Sequence, residues 1–317
     1  MYESLLQLDP IRINFAQSGS FVLNIVLAFI MFGVALEIKL SQFKELLKHP
    51  KPYILGVVSQ ALVLPFVTFL LVMALSNVIT PAVAMGMILV SACPGGNISN
   101  FMTQFAKGNT ELGIGLTATS TVIASFMTPF NFSFWGGLYV SIMNNRGSHM
   151  LQELYIEPYQ IFETVFIILG IPLILGILTA HFLPKVAHFL KKPSQVISLL
   201  FFVGLVIVLF SSNFDLFIKY IYFIFIIVLI HNALALLTGY SLSSAFKLSD
   251  RNKRALTIET GIHNSGLGLV LLFNPKIFPP ELQIGGMLFV TAWWGVWHIV
   301  TGLGLSFYWS RKPLKGE

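Results

Sequence analysis

Charge is scarce in this sequence: Asp, Glu, Lys and Arg make up 10% of 317 residues, against about a quarter in ordinary soluble domains. That scarcity excludes a chain wrapped in a water-solvated surface. Cysteine is nearly absent, and Cys93 alone excludes an intrachain disulfide or a thiolate metal cluster. Only 13 residues are acidic, and Glu259 is the lone carboxylate in the interior of a long apolar run. The first 17 residues carry Glu3, Asp9 and Pro10 and lack both a basic start and a small-residue cleavage site, so no cleaved leader is expected.

What is abundant is apolar: 56% of the residues are hydrophobic and the mean hydropathy is +0.81. With about 20 residues needed per crossing, nine candidate spans lie at about 18–36, 52–75, 81–105, 111–140, 160–182, 196–212, 219–246, 252–274 and 283–309. The expected fold is an all-α polytopic membrane protein. The net charge of +6 has a topological source, because 15 basic residues fall on one side of a nine-span arrangement and 4 on the other. Arg12, Arg146, Lys219 and Lys276 are the four. The positive-inside rule then puts the C-terminus in the cytoplasm and the N-terminus outside, in the inner (plasma) membrane, and no nucleic acid partner is needed. After span 1, Lys39, Phe43, Leu46 and Leu47 form an amphipathic stretch suited to the cytoplasmic surface.

Two apolar runs are interrupted. Ser91–Asn100 contains Pro94, Gly95 and Gly96, which end ordinary helical bonding, followed by Asn97, Ser99 and Asn100. Glu259-Thr-Gly-Ile-His-Asn-Ser-Gly266 interrupts the later run. Backbone exposed at that depth survives only where protein buries it or it lines a cavity, and paired broken helices point to a carrier's binding site. The first broken span runs inward and the second outward, each followed by one helix. That layout predicts two inverted repeats, spans 1–4 (residues 18–145) and 5–9 (residues 160–309), with two broken helices crossing at mid-membrane. An external segment (1–17), an external loop (146–159) and a cytoplasmic tail (310–317) flank them.

At such a crossing, each break presents a half-helix start whose free amides favour an anion. Asn97 and Asn264 add side-chain donors, with Ile98 and Ser265 beside them. Glu259, Gln60, Ser99, Asn100 and Thr117 supply hard oxygen atoms, which suit a hard cation such as sodium rather than zinc. His231 and His298 read as imidazoles bonded to neighbouring helices. No cofactor and no obligate protein partner is evident.

Cys93-Pro-Gly-Gly-Asn-Ile-Ser-Asn100, Glu259–Gly266, and Phe32-Gly-Val-Ala-Leu36 followed by Lys48-His-Pro-Lys51 together resemble the bile acid:sodium symporter family over essentially the whole chain. The resemblance is to its nine-span form and implies a core domain of spans 2–4 and 7–9 moving against a panel domain of spans 1, 5 and 6. It implies a first sodium site at Ser99, Asn100, Thr117 and Glu259, with Gly113 standing where the family has a further hydroxyl. A second site is implied at Gln60, Glu259 and the carbonyls of Thr260 and Ile262, with His263 where the family has glutamine. Imidazole is a poor sodium ligand and a titratable one, so proton replacement of one sodium stays open. The expected function is alternating-access, sodium-coupled symport of a small organic anion such as a bile acid, a pantoate-like acid or another carboxylate. A proton-coupled or uncoupled carrier, and more remotely an intramembrane hydrolase using Glu259 and His263, are the other readings.

The charge asymmetry yields a direct test. Single cysteines placed at Tyr2 and Gly316 on a Cys93-free background are expected to react with impermeant reagent from opposite sides of the membrane; reaction from one side refutes nine spans.

Overall fold

The computed structural model describes residues 1–11, 17–36, 38, 50–145, 163, 166–211, 214–279 and 281–314. The surface stretch 39–49, the loop 146–159 and Arg12 lie outside the described residues. All regular elements among those described are helices: α1 (Tyr2–Leu6), α2 (Gln17–Ala35), α3 (Pro50–Val58), α4 (Leu64–Ala74), α5 (Pro81–Ala92) and α6 (Ile98–Phe105). They continue as α7 (Thr110–Asn145), α8 (Ile171–Phe182), α9 (Pro184–Ser211), α10 (Phe214–Ala245), α11 (Asp250–Gly261), α12 (Ser265–Leu272) and α13 (Gly285–Ser310). Single π-turns at Ser59–Val63 and Phe166–Gly170 join α3 to α4 and lead into α8.

Lipid explains why the chain is helical. A bilayer offers backbone groups no partners, so each spanning segment satisfies its own N–H and C=O groups internally. Among the described residues four stretches are long and apolar enough to cross: Pro50–Ala74, Thr110–Asn145, Ile218–Ala245 and Gly285–Ser310. Their amphipathicity is the reverse of a soluble helix. Ile54, Leu62, Phe66 and Leu70 share one face of α3–α4 and remain 45–56% exposed, as do Phe126, Phe130 and Phe134 along α7 at 51–54%. The opposite faces bury Ser59, Gln60, Thr117, Ser120 and Thr121. Apolar stripes outward and hydroxyls inward are what lipid outside and a polar site inside require.

Local sequence sets the helix ends. Thr80 caps α5, accepting from Val83 N at 3.4 Å, with Pro81 in the first turn. Cys93 is extended (φ −73, ψ 152) because Pro94 disfavours helical geometry in the residue before it. Ser249 caps α11 and Asp250 sits in its positive first turn.

The main core gathers Val83, Met87 and Val90 of α5, Leu269 and Leu271 of α12, Met287 and Trp294 of α13, and Ile224 and Val228 of α10. Leu5 and Leu8 of the N-terminal segment are fully buried against it. Asp9 follows them, its carboxylate accepting from Thr80 Oγ1 at 3.1 Å. Burial pushes its carboxyl up to about 7 against the hydrogen bonds from Thr80 and Gly286, which pull it down. α2 packs chiefly on α8 and α9, forming a second group beside this core.

Close helix approach depends on glycine at Gly239, where an added Cβ would lie 2.8 Å from Leu256 O and 2.9 Å from Thr257 Cα of α11. Gly137 of α7 meets nothing within 4 Å. Gly239→Val is therefore expected to lower stability by about 1–3 kcal/mol through overpacking, whereas Gly137→Ala raises it by up to about 1 kcal/mol. Thermal unfolding of detergent-purified variants measures both; equal midpoints for the two refute the close approach of α10 and α11.

Candidate functional site

Both interrupted runs leave helical geometry, and they meet. Between α5 and α6 the chain passes through Cys93–Asn97; between α11 and α12 it passes through Ile262–Asn264. Gly96 N donates to Ile262 O at 2.9 Å and Asn264 N to Pro94 O at 2.8 Å, an isolated antiparallel bridge centred on Gly95 and His263. The two breaks thus satisfy each other's backbone groups where lipid supplies no donors or acceptors. Further partners come from neighbouring helices: Ser120 Oγ accepts from Gly95 N at 3.2 Å, and Asn232 Nδ2 donates to Gly261 O at 2.8 Å. A side chain at position 96 would sit 3.1 Å from His263 O, so the crossing needs Gly96.

Beside the crossing, Glu259 is fully buried. Ser99 Oγ donates to Glu259 Oε1, and Thr117 Oγ1 lies 2.9 Å from Oε2. No lysine or arginine pairs with this carboxylate among the described residues. The cluster has more acceptors than protons. The single proton on Thr117 Oγ1 is within reach of Glu259 Oε2, Gly113 O at 3.1 Å and Asn100 Oδ1 at 3.4 Å. A buried, acceptor-rich group of oxygens around an unpaired carboxylate is an environment completed by a cation. At Gly113 a Cβ would stand 3.3 Å from Asn100 Oδ1 and 3.5 Å from Glu259 Oε1, so this position abuts the group and brings no side-chain oxygen to it.

Gln60 reaches this region through an irregularity in its helix. Pro65 has no N–H to give the carbonyl four residues back, and the π-turn Ser59–Val63 rotates the chain just before it. Asn131 Nδ2 takes up the freed Ala61 O at 2.9 Å. Gln60 Nε2 then donates to the backbone carbonyl of Glu259 at 2.9 Å, leaving Oε1 buried without a protein partner. Ser59 Oγ meets Thr260 Oγ1 at 2.9 Å. Of the remaining oxygens in the second expected set, Ile262 O already accepts from Gly96 N, and Thr260 O lies 2.9 Å from His263 Nε2. The other ring nitrogen, Nδ1, lies 2.8 Å from Cys93 O. The imidazole is therefore wedged between the two breaks with each nitrogen beside a carbonyl oxygen, of which the single N–H of a neutral ring serves one. It turns away from the Glu259 carboxylate, and a Glu259–His263 hydrolytic pair is not assembled.

The residues expected to meet an anion are placed differently. Asn97 and Ile98 open α6 on an exposed surface, and Asn97 makes no capping bond with its side chain. Asn264 is half-buried and caps α12 by accepting from Leu267 N at 3.1 Å; Ser265 beside it is buried. Both half-helix starts flank the crossing. Ser59, Ser120, Asn131 and Asn232 support the crossing and its neighbours, and the sequence shows each only as a hydroxyl or amide in an apolar run, without its direction.

Known proteins resemble this chain over most of its length. A family model described as the Sodium Bile acid symporter family matches residues 24–220. An uncharacterized sodium-dependent transporter of Bacillus subtilis (strain 168) is 31% identical over 295 residues, covering 93% of this chain and 85% of that protein. The human hepatic sodium/bile acid cotransporter is 29% identical over 306 residues, covering 93% and 81%. A probable chloroplastic sodium/metabolite cotransporter of rice (Oryza sativa subsp. japonica) is 26% identical over 302 residues, covering 90% of this chain and 66% of that one. The family model spans more than half of the chain, and with the crossed breaks beside a buried carboxylate the conclusion is that the chain belongs to the sodium bile acid symporter family, a family of membrane transporters and not of enzymes.

Proposed function

We propose that this chain carries a small organic anion across the inner (plasma) membrane by alternating access, driven by sodium bound at Ser99, Asn100, Thr117 and Glu259. The observation that carries the reading is the acceptor-rich cluster around Glu259, a buried carboxylate bonded to hydroxyls and, among the described residues, paired with no basic side chain. Sodium at that point neutralises the carboxylate and makes the neighbouring half-helix starts hospitable to an anion. The two binding events then support each other and the fluxes are coupled. Asn97, Ile98, Asn264 and Ser265 are the residues assigned to the anion. The wider frame belongs to the same proposal: nine spans in inverted repeats of four and five, the N-terminus outside, and α2, α8 and α9 as a panel beside the core. The sodium-dependent relatives and the packing of these helices as a separate group favour it.

Proteoliposomes given a panel of labelled bile acids, sulfonates and short carboxylates are expected to accumulate at least one of them under an inward sodium gradient. Glu259→Gln keeps the shape and one oxygen and removes the charge that favours the cation. Uptake in that variant is expected to lose its sodium dependence, and a wild-type response to sodium refutes the site.

A second sodium at the set formed by Gln60, Thr260 and Ile262 is not part of the proposal, because Ile262 O already accepts from Gly96 N and the His263 ring lies against the Thr260 carbonyl. One sodium per cycle is the expected stoichiometry, with a Hill coefficient for sodium near 1. His263→Gln replaces the ring with an amide oxygen, and there the coefficient is expected to rise toward ~2, the number of sites then available. An unchanged coefficient leaves His263 as a packing residue.

A further inference from the structure

Fifteen basic residues lie on the cytoplasmic side of the nine-span arrangement, where their ordinary role is to face water and lipid headgroups. Arg254 does not do this. Only 4% of it is exposed, and no carboxylate pairs with it among the described residues. Its guanidinium instead donates to four carbonyl oxygens: Nη1 to Ala106 at 2.7 Å and Trp309 at 2.9 Å, Nη2 to Lys312 at 3.2 Å and Pro313 at 3.3 Å. Ala106 closes the C-terminal end of α6, and Trp309 lies in the last turn of α13. Helix C-termini carry unsatisfied carbonyls and a partial negative charge, so a buried cation is stabilised there without a carboxylate. A planar guanidinium reaches two such ends at once, which a lysine ammonium on its single point does not reproduce.

The place of this contact matters because α6 and α11 are the two half-helices that bring Ser99 and Glu259 together. At one end they are joined by the crossing bonds between Gly96 and Ile262 and between Pro94 and Asn264. At the other end Arg254, on α11 itself, holds the last carbonyl of α6. Glu259 is five residues beyond Arg254, about 7.5 Å along the helix. The contact between Ser99 and Glu259 therefore lies inside a frame closed at both ends. The adjoining turn is pinned to the same helix, with Asn109 N on Arg251 O at 3.0 Å and Asn109 Nδ2 on Asn252 Oδ1 at 2.8 Å.

We infer that Arg254 is a positioning residue for the cation site: by gripping the end of α6 from α11, it sets the spacing of Ser99 and Asn100 relative to Glu259 and thereby the affinity for sodium. This rests on the reading of Glu259 as a sodium ligand. The other acceptors, Lys312 and Pro313, tether the tail to the same guanidinium and are not part of the frame.

The test uses the full chain in detergent and sodium alone as probe, read as the rise in melting temperature along a sodium chloride titration balanced with choline chloride. In Arg254→Lys and Arg254→Gln, the sodium concentration for half-maximal stabilisation is expected to rise about ten-fold, as for loss of residues that orient a metal's ligands. The lysine variant keeps the charge and carries the test if the glutamine variant does not fold. A chain ending at Arg311 loses the acceptors of Lys312 and Pro313 but keeps Ala106 and Trp309, and its sodium titration is expected to match the intact chain. An unchanged titration in Arg254→Lys, whatever its melting temperature, refutes the positioning role; so does a shortened chain that shifts as far as the lysine variant. Glu259→Gln, run alongside, separates the two claims, because a full sodium response in that variant overturns the cation site itself.

Discussion

Everything in this molecule follows from the mutual satisfaction of two helix breaks inside an apolar protein. Pro94, Gly95 and Gly96 release backbone groups on one chain segment, and Ile262–Asn264 release them on another. In lipid those groups have no solvent to turn to, so an unpaired break would cost several kcal/mol per group. The bonds between Gly96 and Ile262 and between Asn264 and Pro94 remove that penalty by using each break as the partner of the other. Neither break is stable without its counterpart. The position of α6 and α11 beside each other, and hence of the residues they carry, is dictated by this requirement.

The carboxylate inherits its environment from the crossing. Because Gly95 lacks a side chain, Glu259 Oε2 can stand where a Cβ at 95 would come within 3.0 Å. Ser99 lies in the first turn of α6 and Thr117 in the facing part of α7, so their hydroxyls arrive from two helices at the two carboxylate oxygens. The outcome is a polar centre with more acceptors than protons, in which Gln60 Oε1 is buried without a protein partner. A fixed cationic partner would make the group inert, whereas under the proposed function an exchangeable cation would make it a switch between two affinities for an anion. Arg254, the one buried arginine nearby in sequence, is directed away from Glu259 to the helix ends on the other side of the frame, which keeps the carboxylate free.

The surrounding helices show how one protein serves two solvents. Phenylalanine and leucine repeat every four residues on the outer faces of α3–α4 and α7, while serine, threonine and amide side chains line the inner faces. Hydroxyls that have no ligand to meet bond back to their own helix, as Thr121 does to Thr117 O at 2.8 Å and Thr257 to Lys253 O at 2.7 Å. Those at the centre, Ser99 and Thr117, reach across to another helix, Thr117 while also within reach of Gly113 O in its own. The difference lies in which direction each residue faces, and that direction is set by packing.

The division between sequence and structure can be stated residue by residue. The sequence by itself determined that the chain is helical and solvated by lipid, that it breaks at Pro94-Gly95-Gly96 and again after Glu259, and that Glu259 is the carboxylate to be explained. These are local properties: ring constraint, missing Cβ atoms, and a charge in an apolar run. What only the tertiary structure decided is which distant groups meet. Ser99 and Glu259 are 160 positions apart and Arg254 and Ala106 148, and no periodicity encodes such a pairing. The π-turn before Pro65 shifts the rotational phase of its helix and brings Gln60 Nε2 to the Glu259 backbone carbonyl, which heptad or 3.6-residue counting does not foresee. His263 is four residues after Glu259, one turn of a continuous helix, but the helix ends at Gly261, and the extended backbone beyond it turns the ring onto Cys93 and Thr260. Direction and long-range partnership are set by how helices rotate and pack against one another, and that information resides in the assembled fold.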